Sequence, residues 1–348
     1  MPRHLVLLIV ALALATPAPG SAQSTAERDR ERARERIEQE RERQRDLKER
    51  ERERAEERAE RAREREEERR ERDSAGALDT TVAFDAKGTV NVSCAGGDVV
   101  VTGTDRNQIV VRARTERGSI RFVSSGSNAT LEPTSRSSCS DAHFEIAVPV
   151  GAHVVANTWS GSLNVRGVHG DLEAHSQSGD IQVRDAGEHL EVESLSGDVT
   201  IDGVRGDVQI HTVSGDVTLT GARGSVELET VSGEMVLRDI TSKQVRTNST
   251  SGDLTFAGTI VNDGRYEFET HSGELRLQLP ANVGAQLSLS TYSGEIESAF
   301  PITLKAGEHG IGAAQAKRLN FSLGQGSARI TAQTFSGDVT LTSTGRRP

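Results

Sequence analysis

The chain has 348 residues, 34 glycines, two cysteines, a formal net charge of −10 and only 3% aromatic residues. This length allows two ordinary domains. The acidic balance, with no basic stretch interleaved with aromatic residues, argues against nucleic acid as a partner. No Cys-x-x-Cys pair or Cys/His cluster indicates a metal or redox site, and we expect no cofactor.

Residues 1–22 have the pattern of a Sec-type signal peptide. A short basic start at Arg3 and His4 precedes the apolar run LVLLIVALALA (5–15), and small residues lead to Ala22. The run is too short to span a bilayer, and no second run of membrane-spanning length follows. We expect cleavage after Ala22 and an exported bacterial protein, periplasmic, secreted or at the cell surface, with no transmembrane span in the mature chain.

Residues 23–77 form an arm that is nearly all Arg and Glu. Glu, Arg and Ala favour helix, and neither Gly nor Pro interrupts residues 24–73. Ile37 and Leu47 are the only large apolar residues there, so the arm has no coiled-coil seam. The arm is predicted to be a long, solvated, charged α-helix that serves as a semi-rigid spacer or, alternatively, as an envelope-binding stalk.

Residues 78–150 lack the regular repeat of the remaining chain, and we predict an irregular N-terminal cap. The cap contains Cys94 and Cys139, the two cysteines of the sequence. In an oxidising compartment such a pair is more often a disulfide than two free thiols, so a Cys94–Cys139 bond is expected.

Residues 151–348 carry a repeat built around Ser-Gly-acid-apolar. The Ser-Gly pairs begin at residues 160, 178, 196, 214, 232, 251, 272, 293 and 336, in steps of 18 four times, then 19, 21, 21 and 43. The last step is expected to hold about two coils. Each coil has two short stretches of alternating apolar residues bounded by Gly-containing turns, the pattern of β-strands. One coil cannot bury its apolar side alone, whereas stacked coils can.

The fold class predicted is therefore all-β: a parallel β-solenoid, or single-stranded β-helix, with about 18–21 residues per coil, preceded by the long charged helix. A flattened coil with two sheets is favoured, and a three-sided coil is the alternative. Two inward columns are expected, listed here in chain order: Leu163, Ile181, Val199, Val217, Met235, Leu254, Leu275 and Ile296 on one sheet, and Leu172, Leu190, Val208 and Val226 on the other.

The Ser-Gly motif itself is predicted to be a corner of the coil. A Ser or Thr stands two places before each of the nine serines, and the inward phase of the strand changes after Gly215. Alternation places both Thr212 and Ser214 inward, where their hydroxyls could satisfy backbone groups freed by the bend. Glycine would supply the backbone freedom.

An acidic residue follows almost every Ser-Gly pair: Asp180, Asp198, Asp216, Glu234, Asp253, Glu274, Glu295 and Asp338. Stacked carboxylates about 4.8 Å apart repel each other, so exposure to water or a bound calcium ion must offset the repulsion. The calcium-binding nonapeptide places its Asp one position later, where this chain has Val. Water is therefore the favoured explanation.

A second polar column, His175, Glu193, His211 and Glu229, is expected on the outward side of the other strand. His and Glu can bind a divalent metal, but alternating charges on a sheet surface are more often a surface ladder. No metal site is predicted, and these four residues are weak candidates. Because the repeated serines have no distinctive base, we predict no enzyme and no catalytic residues.

The residue between the hydroxyl and the Ser-Gly pair points outward by the same alternation. Six of the nine are large and apolar or aromatic, and these are the candidate binding residues: Trp159, Leu195, Val213, Val231, Tyr292 and Phe335. A continuous exposed apolar stripe on a soluble protein indicates a contact site. The alternatives are that the stripe is covered by the arm, that it is covered by the insertion at 300–320, or that it lies in a corner core.

Two segments, FEIAVPVGAHVVANTWSGSLNV (144–165) and LRLQLPANVGAQLSLSTYSGEIES (275–298), share the order strand, Pro, Gly turn, strand, hydroxyl-x-Ser-Gly. Together with the SGDV coils, residues 80–348 resemble the bacterial putative-adhesin family of β-strand-repeat domains of unknown function. The resemblance implies surface adhesion and carries no catalytic residues to this chain.

The sequence therefore predicts an exported, non-enzymatic β-solenoid that acts as an adhesin-like scaffold of the cell envelope or surface and binds a protein or a glycan. One alternative is a metal-binding or carbohydrate-active β-helix that uses the His/Glu face. The other is a purely structural spacer.

Overall fold

The computed structural model of the chain describes residues 76–116, 119–134, 142–301 and 317–344. Within the arm it describes residues 40, 43, 48, 50, 53, 54 and 56–63. The chain divides into two units, Met1–Arg69 and Arg70–Pro348. In the first unit, residues 56–63 are helical, and Arg61 pairs with Glu57 one turn earlier. Residues 40, 43, 48, 50, 53 and 54 are also helical, and the predicted signal peptide and the remaining residues of the predicted long helix lie outside the described residues.

The second unit is all-β. Its N-terminal part contains six strands: β1 (Ala77–Ala83), β2 (Thr89–Thr104), β3 (Gln108–Arg114), β4 (Ile120–Ser124), β5 (Asn128–Pro133) and β6 (Ala142–Pro149). The section predicted to be an irregular cap thus contains six strands joined by turns among its described residues.

The repeat region forms two stacks of strands, sheet A and sheet B, and each coil contributes one strand to each sheet. Sheet B contains β7 (His153–Ser160), β9 (Leu172–Ser178), β11 (His189–Ser196), β13 (Asp207–Ser214), β15 (Val226–Ser232), β17 (Gln244–Ser251), β19 (Arg265–Ser272), β21 (Ala285–Ser293), β23 (Lys317–Leu323) and β24 (Ala328–Ser336).

Sheet A contains the shorter strands that follow each Ser-Gly corner. They are β8 (Leu163–Arg166), β10 (Ile181–Ala186), β12 (Val199–Val204), β14 (Val217–Ala222), β16 (Met235–Ile240), β18 (Leu254–Gly258), β20 (Leu275–Pro280), β22 (Ile296–Ser298) and β25 (Val339–Thr344). Neighbouring coils pair in parallel, with Val208 opposite Val226 and Val217 opposite Met235. The predicted all-β fold with stacked, mainly parallel coils is confirmed.

The interior is a thin layer of aliphatic columns between the two sheets. The predicted inward residues are fully buried, apart from Ile296 in the last short strand, which is half-buried. Where the coils lengthen to 19 and 21 residues, aromatic rings fill the wider interior, and the Phe256 and Phe268 ring centroids lie 5.0 Å apart. Each coil therefore stabilises its neighbours by burying the side chains that it could not bury alone.

The strands at both ends of the stack are not in chain order. Strand β2 lies between β5 and β7 in sheet B and between β6 and β8 in sheet A, which links the two sheets. At the other end, β24 lies between β19 and β21, and β25 lies between β20 and β22. A simple solenoid would add the last coil at the end of the stack, whereas here it is inserted one coil earlier.

Candidate functional site

The Ser-Gly corner is a place where the backbones of neighbouring coils come very close. Gly215 has φ 116°, which disfavours residues with a side chain. A Cβ on Gly215 would also lie 2.3 Å from the carbonyl oxygen of Gly197 in the preceding coil. Glycine is therefore required by both the bend and the packing, as the corner prediction implies.

Six of the nine corner hydroxyl residues donate to backbone carbonyls, whereas the hydroxyls of Thr158, Ser194 and Ser249 are buried without a hydrogen-bond partner among the described residues. Thr212 and Thr230 are buried, and their Oγ1 atoms donate to the carbonyls of Ser214 at 3.4 Å and Ser232 at 3.2 Å. The prediction that Ser214 also points inward is wrong, because this residue is half-buried at the turn. Its Oγ donates instead to the carbonyl of Leu195 in the preceding coil, at 3.2 Å.

The acidic column has a structural role. Asp198 accepts the backbone N–H of Asp216 at 3.0 Å, and Asp216 accepts that of Glu234 at 2.8 Å. The aspartates of the column, Asp180, Asp198, Asp216, Asp253 and Asp338, each accept a backbone N–H of the neighbouring coil, which gives these acids a role without calcium. Asp98 accepts the backbone N–H of Ser162 in the same way. Residues 94–98, Cys-Ala-Gly-Gly-Asp, are therefore a further copy of the corner, which the repeat count from the sequence did not include.

Cys94 takes the position in this additional copy that a Ser or Thr takes in the others, since it pairs with Thr158 across the strands. Cys94 is buried and disulfide-bonded. Cys139 lies outside the described residues, and its pairing with Cys94 stays a prediction.

The outward column is the set of side chains between each hydroxyl and its Ser-Gly pair. In stacking order it runs Trp159, Gln177, Leu195, Val213, Val231, Thr250, His271, Phe335 and Tyr292. All nine are exposed, and the exposed fractions of the six candidate binding residues range from 44% at Val213 to 61% at Trp159. The described part of the chain therefore leaves the stripe uncovered.

Inserting the last coil brings three aromatic rings of the outward column together. Phe335 lies between His271 and Tyr292, with ring centroids 4.9 and 4.8 Å away and interplanar angles of 7° and 5°. Chain order would have placed Tyr292 next to His271. The stacked trio could not be recognised from the sequence because it depends on the insertion.

The His/Glu column runs beside the outward column on the same sheet face. His175 Nδ1 lies 3.0 Å from Glu193 Oε2, and His211 Nδ1 lies 3.3 Å from Glu229 Oε2. The pairs form a surface ladder across strands, as the favoured interpretation predicts. Among the described residues, no group of three or more His, Cys, Asp or Glu side chains is arranged to hold a metal ion.

An open groove of about 1210 Å³ joins the two columns. Its lining includes Trp159, Gln177, Leu195 and Val213 from the outward column and Asn157, His175, Glu193 and His211 from the column beside it. The end of β5, residues 132–134, also lines it. Two sets of candidates that the sequence could only consider separately thus belong to one concave surface.

Two carboxyls at the turns on the other side of the coil have lowered pKa values. The pKa of Asp207 is lowered by hydrogen bonds from the Ser225 hydroxyl, at 2.7 Å, and from its backbone N–H, at 2.8 Å. The pKa of Asp185 is lowered by hydrogen bonding to His169 and by the charge of Arg205. Both side chains connect one coil to a neighbouring coil.

These features define a class: a repeat-built, all-β domain that carries an open groove and an exposed apolar column on one sheet face. Residues 80–342 match the family model Toastrack DUF4097, and the chain belongs to this family. No curated protein matches the chain.

Solved structures of three bacterial proteins are similar to this chain. A putative adhesin from Bacteroides fragilis is 10% identical, with 76% of this chain and 96% of that chain covered and a TM-score of 0.35. A putative lipid binding protein from Parabacteroides distasonis is 8% identical, with 78% and 97% covered and a TM-score of 0.40. A putative cell adhesion protein from Clostridium sporogenes is 8% identical, with 77% and 100% covered and a TM-score of 0.20.

Proposed function

We propose that this protein is an exported, non-enzymatic scaffold of the cell envelope or surface that binds a protein or a glycan through the outward column and its groove. The observation that carries the proposal is the column itself. Large apolar side chains from Trp159 to Tyr292 lie exposed on one line of the solenoid, and an exposed apolar patch of this kind is characteristic of contact sites.

Folding does not require this column to be apolar. Most other outward positions on the same strands are polar, for example Glu191, Gln209 and Glu227, and those coils stack with the same register. Solubility favours polar residues at every outward position. The apolar residues therefore need an explanation outside the fold, and a binding partner supplies one.

The repeated corner residues do not compete with this proposal. The aspartates accept backbone N–H groups of neighbouring coils, and most of the hydroxyls donate to backbone carbonyls. A catalytic site usually concentrates groups with perturbed pKa values in a cleft, whereas Asp185 and Asp207 bind groups of neighbouring coils at turns. Within the described residues, no helix is both long and apolar enough to span a membrane.

The experiment compares binding of the mature chain, from residue 23, to isolated envelope fractions before and after changes in the outward column. A triple variant, Trp159→Ser, Leu195→Ser and Tyr292→Ser, should lose most of the bound fraction while its Tm stays close to that of the parent. Val123→Ser is the matched control, because Val123 is an equally exposed apolar residue outside the column. Equal binding by the triple variant and the parent would contradict the proposal.

A further inference from the structure

The groove combines an aromatic side chain, that of Trp159, with hydrogen-bonding groups along its side. Trp159 is the most exposed member of the outward column, and Asn157 lies two residues earlier on the same outward side of β7. His175 and Glu193 continue this polar side, with the imidazole 3.0 Å from the carboxylate. The groove therefore offers a flat apolar ring together with both donors and acceptors.

The groove crosses β5, β2, β7, β9, β11 and β13 at right angles to the strands. Six strands at the usual spacing extend about 24 Å along the stack. An extended ligand of several rings fits such a groove better than a single compact molecule. The volume of about 1210 Å³ is consistent with a chain of this kind.

An extended peptide fits this surface poorly. Peptides that lie along sheets bind mainly by adding a strand to a free sheet edge. Strand β7 is not an edge strand, because it pairs with β2 on one side and β9 on the other. Recognition here must come from side chains on the face of the sheet.

The charge of the groove disfavours anionic ligands. Glu132 and Glu193 contribute to the lining, and Glu173 lies on the same face. Arg121 pairs with Glu132 at 3.5 Å, whereas Glu173 and Glu193 pair with the histidines His153 and His175. A phosphate, a sulfate or a nucleic-acid strand would be repelled by these carboxylates. A ligand with hydroxyl groups and no negative charge would not be repelled.

We infer that the groove beside Trp159 binds a neutral oligosaccharide, with a sugar ring stacked on the indole and its hydroxyl groups hydrogen-bonded by Asn157, His175 and Glu193. A sugar ring has an apolar C–H face and a rim of hydroxyl groups, which matches the flat face and polar side of the groove. This inference rests on the proposed function and specifies which ligand class this end of the outward column binds.

The chain contains a built-in reporter, because Trp159 is its single tryptophan. Tryptophan emission of the mature chain would be followed during titration with cellohexaose, laminarihexaose, mannohexaose and chitohexaose. A heparin hexasaccharide and hexaglycine serve as the anionic and peptide probes. We expect at least one neutral hexasaccharide to give a saturable change in emission, and the heparin and peptide probes to give none.

Calorimetry with the responding saccharide then tests the assigned residues. Trp159→Ala and Glu193→Gln should each weaken binding about tenfold or more, the loss expected when one good contact is removed. Val123→Ala is the matched control, since Val123 is an exposed apolar residue outside the outward column and the groove lining, and its change should leave affinity unchanged. Unchanged circular dichroism spectra would show that the variants are folded.

The inference is overturned if no neutral saccharide changes the emission, if only the heparin or peptide probe does, or if binding survives Trp159→Ala. The two proposals can fail separately. If the Trp159, Leu195 and Tyr292 triple variant loses envelope binding but no saccharide gives a response, the proposed function stands and only this inference is removed. Saccharide binding that depends on Trp159, without any envelope binding, would support the ligand class and remove the envelope role.

Discussion

Single residues of the Ser-Gly-Asp motif have separate physical roles. The glycine allows two backbones to approach, the hydroxyl before it binds a carbonyl, and the acid binds an N–H of the next coil. A serine and a carboxylate side by side resemble catalytic groups. Their recurrence in almost every coil, with the same backbone partners, shows that this pairing belongs to the fold.

The two kinds of glycine in a coil should respond differently to substitution. Gly221→Ala places a side chain at φ 73°, and the heavy atom nearest to the new Cβ is 3.6 Å away, so the Cβ meets no collision. The free energy of unfolding should fall only by the cost of the backbone strain, roughly 1–2 kcal/mol. Gly215→Ala adds a collision with the Gly197 carbonyl, so the free energy of unfolding should fall by more than about 4 kcal/mol. Urea unfolding of both variants measures this difference. Equal losses would show that close approach is not the reason for the corner glycine.

The lowered pKa of Asp207 predicts how stability depends on pH. Because the folded-state pKa lies below the unfolded value, the carboxylate stabilises the fold above that unfolded value, and this contribution is lost as the pH falls through the lower, folded-state pKa. Asp207→Asn, and Ser225→Ala, which removes the hydroxyl donor, should both reduce the difference in urea midpoint between pH 7 and pH 3. If both variants keep the parent's full pH dependence, Asp207 does not contribute to it.

Among the strands, the unexpected feature is their order at the ends of the stack. Strands β24 and β25 are last in the chain, yet they lie between coils that precede them, and β2 is similarly inserted at the other end. An inserted strand pairs on both sides and cannot detach as a free terminal edge would. We expect this arrangement to reduce fraying of the stack and edge-to-edge association.

Cysteine pairs in the outward column test the inserted order. In this structure positions 271 and 335 lie on neighbouring strands, about 4.8 Å apart by strand spacing. Positions 271 and 292 are two strands apart, at about 9.6 Å. Under mild oxidation, His271→Cys with Phe335→Cys should cross-link, because disulfides require closely spaced backbones. His271→Cys with Tyr292→Cys should not. Mass spectrometry of peptides would detect the bonds, and the opposite pattern would show that the coils follow chain order.

At the scale of the whole molecule, the sequence predicted the features that its period specifies directly. A repeat of 18 residues with two turns determines which side chains share a column, so the inward columns and the exposed outward column could both be predicted. The copy at residues 94–98 was missed because Cys94 and Gly96 replace the usual hydroxyl residues. The groove and the aromatic trio were missed because they depend on distant strands, β5 and β24.

The central claim is that the acidic column serves the fold whereas the outward column serves binding. Two double variants in the same two coils test it: Asp198→Asn with Asp216→Asn, and Leu195→Thr with Val213→Thr. Asn keeps an oxygen acceptor and removes repulsion between stacked carboxylates, while Thr keeps the preference for strand. The most direct measurement is envelope binding of each folded variant, with Tm measured alongside.

We predict that the Asn variant binds like the parent with an equal or higher Tm, and that the Thr variant loses binding with its Tm nearly unchanged. Loss of binding in the Asn variant, with full binding in the Thr variant, would contradict the account.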